Sequence, residues 1–115
     1  MIDIKNIWSK EHVARLDLAR KSKNPMLAFS AMCEMYESLT KTEREEINLL
    51  LKEWIVSPNP DERFTALALV ESYSIKEAIP AMKDRIEMLK NCKIPEDPQG
   101  YNEREKILKK LKKLQ

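Results

Sequence analysis

Residues 59–69 of this chain read Asn-Pro-Asp-Glu-Arg-Phe-Thr-Ala-Leu-Ala-Leu, and residues 24–32 read Asn-Pro-Met-Leu-Ala-Phe-Ser-Ala-Met. The two stretches lie 35 residues apart and share the Asn-Pro pair, a Phe four residues after the proline and an Ala two residues after the Phe. An Asn followed by Pro is a typical helix start, because the Asn side chain caps the first turn and the proline needs no partner there. Both stretches therefore predict the start of a helix.

The same offset also relates the apolar positions of the next predicted helix in each half. It aligns Ile47 with Met82, Leu51 with Ile86, and Trp54 with Leu89. Any two amphipathic helices align after some shift, so the shared Asn-Pro, Phe and Ala carry most of the weight. A two-helix unit repeated at this period predicts a helical solenoid, since each unit buries its apolar face only by stacking on a neighbour.

Start and stop residues along the chain predict five to six helices in an all-α fold. The expected spans are about 9–21, 24–39, 42–56, 59–73, 74–91 and 102–114. Three capping boxes are predicted, in which Thr42, Ser74 and Asn102 each precede a Glu by three residues. Pro80 is expected in the second turn of its helix, where it bends the start. The second helix is apolar nearly all round, so we expect it to be central and buried.

A resemblance to HEAT-like (armadillo-type) repeats is carried by residues 60–69, with Asp61 and Arg63 early in a helix, and by Glu-Ala-Ile-Pro at residues 77–80. The resemblance covers about residues 59–91 and is weaker in residues 24–56, which lack these elements. It implies a short right-handed α-solenoid of helical hairpins that binds proteins, less often nucleic acid. Asp61 and Arg63 would then be structural residues that bridge neighbouring helices. We expect one domain over 1–115, with repeat units 24–56 and 59–91 and with helices 9–21 and 102–114 as caps.

Composition excludes several classes of function. The only glycine is Gly100, so a glycine-rich phosphate loop is excluded. Tight β-hairpins, which often need glycine in their turns, are disfavoured. Cys33 and Cys92 have no metal-ligand spacing, so we expect reduced thiols, no metal and no cofactor. No segment resembles a signal peptide or a membrane span, so a cytoplasmic protein with no membrane partner is expected.

Catalytic constellations are not apparent, and we expect a protein that is not an enzyme. His12 is the only histidine, and its charged neighbours predict a solvated side chain. The carboxylate pairs Glu34 with Glu37 and Asp84 with Glu87 lie among basic residues, which indicates surface charge rather than acid–base catalysis.

Charge is unevenly distributed, although 21 basic and 19 acidic residues give a net charge of only +2. Residues 24–58 carry three basic and six acidic side chains, whereas residues 92–115 carry seven and four. The basic ends permit a nucleic-acid-binding alternative that uses Arg15, Arg20, Lys21 and the lysines of the last helix. We prefer a capping role for that helix, because Ile107, Leu108, Leu111 and Leu114 form an apolar side and no aromatic residues lie between the lysines.

A polar ledge is predicted on the solenoid side formed by the second helix of each unit, opposite the apolar stripes. It equally fits the ordinary solvated face of soluble helices. Its members are Glu45, Asn48, Lys52, Lys83, Asp84, Glu87 and Asn91.

The expected function is non-catalytic binding of a protein partner. In its most concrete form, the chain is a small bacterial inhibitor or immunity protein that neutralises a toxin or enzyme. An acidic stretch would then face a basic, nuclease-like partner and accelerate association. That stretch comprises Glu34, Glu37, Glu43, Glu45, Glu46 and Glu53.

Overall fold

The structure is a computed structural model that describes residues 3–24, 26–91 and 101–115. The described residues are all-α and contain no strand, which confirms the predicted all-α class, whereas the solenoid arrangement stays a prediction. The helices are α1 (Ile4–Lys21), α2 (Met26–Ser38), α3 (Lys41–Ile55), α4 (Pro60–Ser72), α5 (Ile79–Asn91) and α6 (Tyr101–Leu114), with a 3₁₀ turn over Lys76–Ala78 before α5. The chain divides into two compact units, Met1–Leu50 and Leu51–Gln115.

In the first unit, α1 begins five residues earlier than predicted. The Asp3 carboxylate caps the helix by accepting a hydrogen bond from the Asn6 backbone N–H at 3.3 Å. Ile4, Trp8 and His12 follow at intervals of four residues and are all buried. This apolar spacing continues one helical stripe to the N-terminus, so the expected start at residue 9 was wrong.

A Schellman motif ends α1. Lys23 takes the left-handed conformation, with φ of 54°. The N–H groups of Lys23 and Asn24 donate to the carbonyls of Arg20 and Ala19, at 3.2 and 3.0 Å. The Asn24 side chain then accepts from the Met26 N–H at 3.2 Å, as the Asn-Pro pattern predicted. This short connection turns the chain back, and α2 packs against α1 as a helical hairpin.

The expectation that α2 is buried nearly all round was wrong. Only Ala28, Met32 and Tyr36 are buried, whereas Met26 and Leu27 are exposed. The buried residues recur every four positions, so only one side of α2 packs in the core despite the apolar composition of the helix.

The capping box of α3 uses Thr40 and Glu43 rather than Thr42 and Glu45. The Thr40 hydroxyl accepts from the Glu43 N–H at 3.2 Å, and the Glu43 carboxylate accepts from the Thr40 N–H at 2.9 Å. This reciprocal pair satisfies two backbone donors at the helix start. The predicted apolar stripe of α3 is confirmed, since its members are buried: Ile47, Leu50, Leu51, Trp54 and Ile55.

In the second unit, α4 begins as predicted. The Asn59 side chain accepts from the Asp61 N–H at 2.9 Å, and Pro60 is the first helical residue. Asn24 and Asn59 thus make the same bond to the N–H two residues ahead. Five of the 13 residues of α4 are buried: Thr65, Ala66, Leu67, Leu69 and Val70.

The start of α5 differs from the prediction in two ways. Ser74 does not cap the start of a helix. Instead, it ends α4 in a second Schellman motif, with φ of 50°. In this motif the Ile75 N–H donates to the Val70 carbonyl at 3.0 Å. Pro80 is the second residue of α5 and lies in its first turn, because Lys76–Ala78 form a separate 3₁₀ turn. The proline therefore removes no hydrogen bond of α5, contrary to the expectation.

Helix α6 packs against α4 and α5 within the second unit. Ile107, Leu111 and Leu114 are buried, as the predicted apolar side requires, whereas Leu108 is exposed. The helix begins at Tyr101, one residue before the Asn102 that was expected to cap it. Residues 92–100, which lie between the last two predicted helices, are outside the described residues.

The matched positions of the two sequence repeats have similar burial at several places. The buried pairs are Met32 with Leu67, Ile47 with Met82, and Trp54 with Leu89. Phe29 and Phe64 differ, since Phe29 is half-buried and Phe64 is exposed. The single-domain interpretation and the stacking of repeats stay predictions.

Candidate functional site

The predicted ledge residues differ in accessibility. Glu45 on α3 and Lys83, Asp84 and Glu87 on α5 are exposed, whereas Asn48 and Lys52 on α3 are half-buried. Asn91 is the last residue of α5. The ledge as a whole combines residues of both units, so its assembly stays a prediction.

Asn48 has a structural contact inside the first unit. Its side-chain oxygen accepts a hydrogen bond from the Tyr36 hydroxyl at 2.8 Å. Tyr36 also contacts Trp8 edge-on, with ring centroids 6.4 Å apart, and the Arg44 guanidinium lies 5.3 Å from its ring centroid. Arg44 donates to the carbonyls of Tyr36 and Glu37 at 3.2 and 2.9 Å. These contacts join all three helices of the unit and leave Asn48 less suited to partner binding.

On α5, the exposed ledge residues form one polar face. Lys83 and Glu87 are one turn apart, and Asp84 lies three residues before Glu87. Glu87 forms an ion pair with Lys90 at 3.0 Å, and both side chains are more than half exposed. An exposed pair of this kind stabilises a helix little, so this face remains available for a polar partner.

The exposed face of α3 carries an apolar residue between carboxylates. Leu49 is 49% exposed, and the exposed residues Glu45 and Glu46 lie four and three positions before it, on the same side of the helix. A large apolar side chain at this exposure gains free energy when a partner covers it. The binding residues predicted from the sequence include Glu45 but not Leu49, because helical spacing shows that a residue faces outward and not that a partner uses it.

A groove lies between α1 and α2, with a volume of about 260 Å³. Leu18 of α1 is 49% exposed and Leu27 of α2 is 44% exposed. Arg15 of α1 pairs with Glu11 at 2.6 Å, and Glu34 of α2 is exposed. The groove is thus apolar in part and has one cationic and one anionic side chain on opposite helices. Its lining residues are Arg15, Leu18, Leu27, Ser30, Ala31 and Glu34.

His12 lies in the core of the first unit and is only 2% exposed. The expectation of a solvated histidine was wrong, because the longer α1 places His12 on the same stripe as Ile4 and Trp8. Its charged neighbours in sequence, Lys10 and Arg15, are exposed on other sides of the helix.

Charged groups connect α6 to α4 and α5, in addition to its buried apolar side. The Glu103 carboxylate binds Arg85 of α5 at 2.8 and 3.2 Å and lies 3.3 Å from Arg63 of α4. Arg63 also donates to the Ser57 carbonyl at 2.8 Å. Arg63 therefore joins neighbouring helices, the role that the family resemblance implied for it. Because Arg85 is buried, this cluster is structural rather than a surface for ligands.

Two lysines of α6 bind Glu71 of α4. Lys110 donates to one carboxylate oxygen, and Lys113 donates to the other at 2.9 Å. The hydrogen bond from Lys110, followed in size by the one from Lys113, holds the pKa of Glu71 below its ordinary value of 4.5. Two of the five α6 lysines considered for nucleic-acid binding are therefore already paired within the protein. Lys106, Lys109 and Lys112 are exposed.

Across residues 3–24, 26–91 and 101–115, no group of three or more His, Cys, Asp or Glu side chains is arranged to hold a metal ion. Within the same residues, no helix is both long and apolar enough to cross a membrane. Comparison of the chain with protein-family models, with curated proteins and with solved structures found no match.

Proposed function

We propose that this chain is a non-catalytic protein-binding module built from HEAT-like helical hairpins. In its most concrete form, it is a small bacterial inhibitor or immunity protein that covers a basic, nuclease-like toxin. The observation that carries the proposal is the exposed face of α3, where Leu49 lies beside the carboxylates of Glu45 and Glu46.

The chemistry of this face fits a partner with basic residues around an apolar pocket. Leu49 would enter the pocket and supply most of the binding free energy, as a central apolar anchor does in many interfaces. The two carboxylates would attract the basic surface and raise the association rate, with less effect on the lifetime of the complex.

The repeat interpretation is supported by two local features. Asn24 and Asn59 make the same capping bond at the start of their helices, and Met32 and Leu67 are buried at matched positions. In a stack of such hairpins, Lys83, Asp84 and Glu87 would extend the binding surface with a polar edge. Partner binding through these residues is part of the same proposal.

The nucleic-acid alternative has less support. Arg15 is paired with Glu11, and Lys110 and Lys113 are paired with Glu71. A phosphate backbone would have to compete with these carboxylates, which leaves fewer cations to release counterions on binding.

Affinity capture with the immobilised chain tests the proposed function. The wild type should retain one stoichiometric basic protein from extracts of the bacterium that produces it. Leu49→Glu should abolish retention, because it adds a third carboxylate beside Glu45 and Glu46, at the position where the apolar anchor would be desolvated. Val13→Glu is the matched control, since Val13 is also apolar and is 60% exposed on α1.

Two results would contradict the proposal. One is capture of no stoichiometric protein by the wild type, and the other is equal loss of capture in Leu49→Glu and Val13→Glu. Fluorescence anisotropy with labelled duplex DNA gives an independent check. Tight binding that weakens steeply with salt would favour the nucleic-acid alternative instead.

A further inference from the structure

The groove between α1 and α2 has features that match a second copy of itself. It lies wholly within the first unit, and its two most exposed apolar residues, Leu18 and Leu27, are on opposite helices. Both lie within about one helical turn of the connection between the helices. Two large apolar side chains exposed this close together favour burial against a partner.

The charged residues of the groove lie farther than Leu18 and Leu27 from the connection between the helices. By the helical rise of about 1.5 Å per residue, Arg15 lies about 9 Å and Glu34 about 12 Å from the connected ends of their helices. They are therefore at similar heights on opposite helices. Arg15 uses Nε to bind Glu11, so its terminal nitrogens still have N–H donors for a second carboxylate.

These positions make the hairpin self-complementary about a two-fold axis parallel to the helices. Such an axis places α1 of one copy over α2 of the other at equal height. Leu18 then faces Leu27 of the second copy, and Arg15 faces Glu34 of the second copy, each contact occurring twice. An isologous interface requires this reciprocal pattern.

We propose that the α1–α2 groove is a homodimer interface, in which two hairpins form a four-helix arrangement. The proposal is independent of the function proposed for the α3 face, because it uses different residues and another copy of this chain as the partner.

Sedimentation equilibrium of the purified chain, from micromolar to near-millimolar concentration, tests this proposal. The wild type should show reversible dimerisation. Leu27→Glu should raise the dissociation constant by about 100-fold, because each dimer contains the substitution twice, and Leu18→Glu should do the same. Val13→Glu should leave the constant unchanged, since Val13 is exposed on a different side of α1. Circular dichroism checks that each variant is folded.

Charge exchange tests the pairing of the two copies. Arg15→Glu alone and Glu34→Arg alone should each weaken the dimer by about tenfold, because like charges then face each other twice. An equimolar mixture of the two variants should dimerise again, since every such contact in the mixed dimer joins opposite charges. Mixing the two variants does not restore a contact within one chain, so recovery of the dimer in the mixture shows that the charges pair between two copies.

Several results would overturn the proposal. A wild type that stays monomeric throughout the concentration range is one, and a dimer that persists in both Leu27→Glu and Leu18→Glu is another. Equal weakening by Val13→Glu would show a non-specific association. Failure of the mixed charge variants to dimerise would exclude the proposed axis. Occupation of the groove by a helix of a different protein would appear as a monomer that binds that protein through Leu27.

Discussion

The contacts inside the first unit differ in kind from the contacts inside the second unit. In the first, α1 and α2 form a local hairpin, and the apolar and aromatic contacts of Trp8 and Tyr36 dominate the core. In the second, the carboxylates of Glu103 and Glu71 bind cations on other helices and add to the buried apolar side of α6. Residues as far apart in sequence as Arg63 and Glu103 meet there.

This difference is accompanied by a difference in exposed apolar surface. The first unit exposes Ile7, Val13, Leu18, Met26, Leu27 and Leu49, whereas the described residues of the second expose Phe64, Met88 and Leu108 among the large apolar side chains. A hairpin that uses one stripe of each helix for its core leaves other apolar residues uncovered. The first unit is therefore where we place the proposed dimer interface and the apolar anchor for the partner.

The largest expected effect concerns the apolar core of the first unit. Trp8→Ala should lower the free energy of unfolding by about 4 kcal/mol, because the ring is fully buried and its removal leaves a cavity. Trp8→Phe should cost much less, since the indole N–H has no acceptor among the described residues and its loss breaks no hydrogen bond. Urea denaturation followed by circular dichroism measures both. A loss below about 1 kcal/mol for Trp8→Ala would contradict this account.

The next effect tests whether charge holds α6 in the second unit. Glu103→Ala should lower the free energy of unfolding by about 3 kcal/mol, because it leaves Arg85 buried without its carboxylate partner. Glu87→Ala is the control, and it should change stability by about 0.5 kcal/mol or less, since its ion pair is exposed. Equal effects of the two substitutions, again measured with urea, would show that α6 is held by apolar contacts alone.

A smaller effect distinguishes the observed cap of α3 from the predicted one. Thr40→Ala should cost about 1 kcal/mol, because it removes the side-chain acceptor for the Glu43 N–H. Thr42→Ala should leave the stability unchanged or raise it by a few tenths of a kcal/mol, since Thr42 is exposed inside the helix and alanine is the better helix former. Thermal unfolding of the two variants in parallel gives the comparison. A larger loss of stability for Thr42→Ala than for Thr40→Ala would support Thr42 as the capping residue.

The smallest effect depends on pH. Glu71→Gln should lower the free energy of unfolding by about 0.5 kcal/mol at neutral pH, because the partly exposed pairs with Lys110 and Lys113 are lost. The pKa of Glu71 is lowered on folding, so its stabilisation is complete above the ordinary pKa of 4.5. It disappears as the pH falls through the lowered pKa.

Urea midpoints of wild type and Glu71→Gln should therefore converge in acid. Glu77→Gln, at an exposed position, serves as the control and should follow the wild type throughout. A difference that stays constant from neutral to acidic pH would contradict an ionic origin.

Local signals in the sequence predicted the helices well. The Asn59 cap depends only on adjacent residues, and it is found where expected. The α3 cap was misplaced because Thr40 with Glu43 and Thr42 with Glu45 both have the spacing of a capping box. His12 was misjudged because the burial of one side of α1 depends on where the helix begins. Its spacing of four from Trp8 was the signal that could have shown it.

Contacts between distant residues were beyond sequence reasoning. The Arg63 and Glu103 pair spans 40 residues, and no local pattern predicts which carboxylate meets which guanidinium. The α1–α2 groove likewise depends on how the two helices pack, which leaves Leu18 and Leu27 outside the core. The exposed residues of the predicted ledge were identified from helical spacing, but spacing alone does not show which of them bind a partner.

The two left-handed residues, Lys23 and Ser74, have a consequence for engineering. Each closes a helix where glycine is the usual residue, and a side chain at such a φ costs roughly 1 kcal/mol. Replacing either by glycine relieves that strain without touching the core or either proposed interface. The chain thus holds two sites at which its thermal tolerance can be raised while its surface is kept as it is.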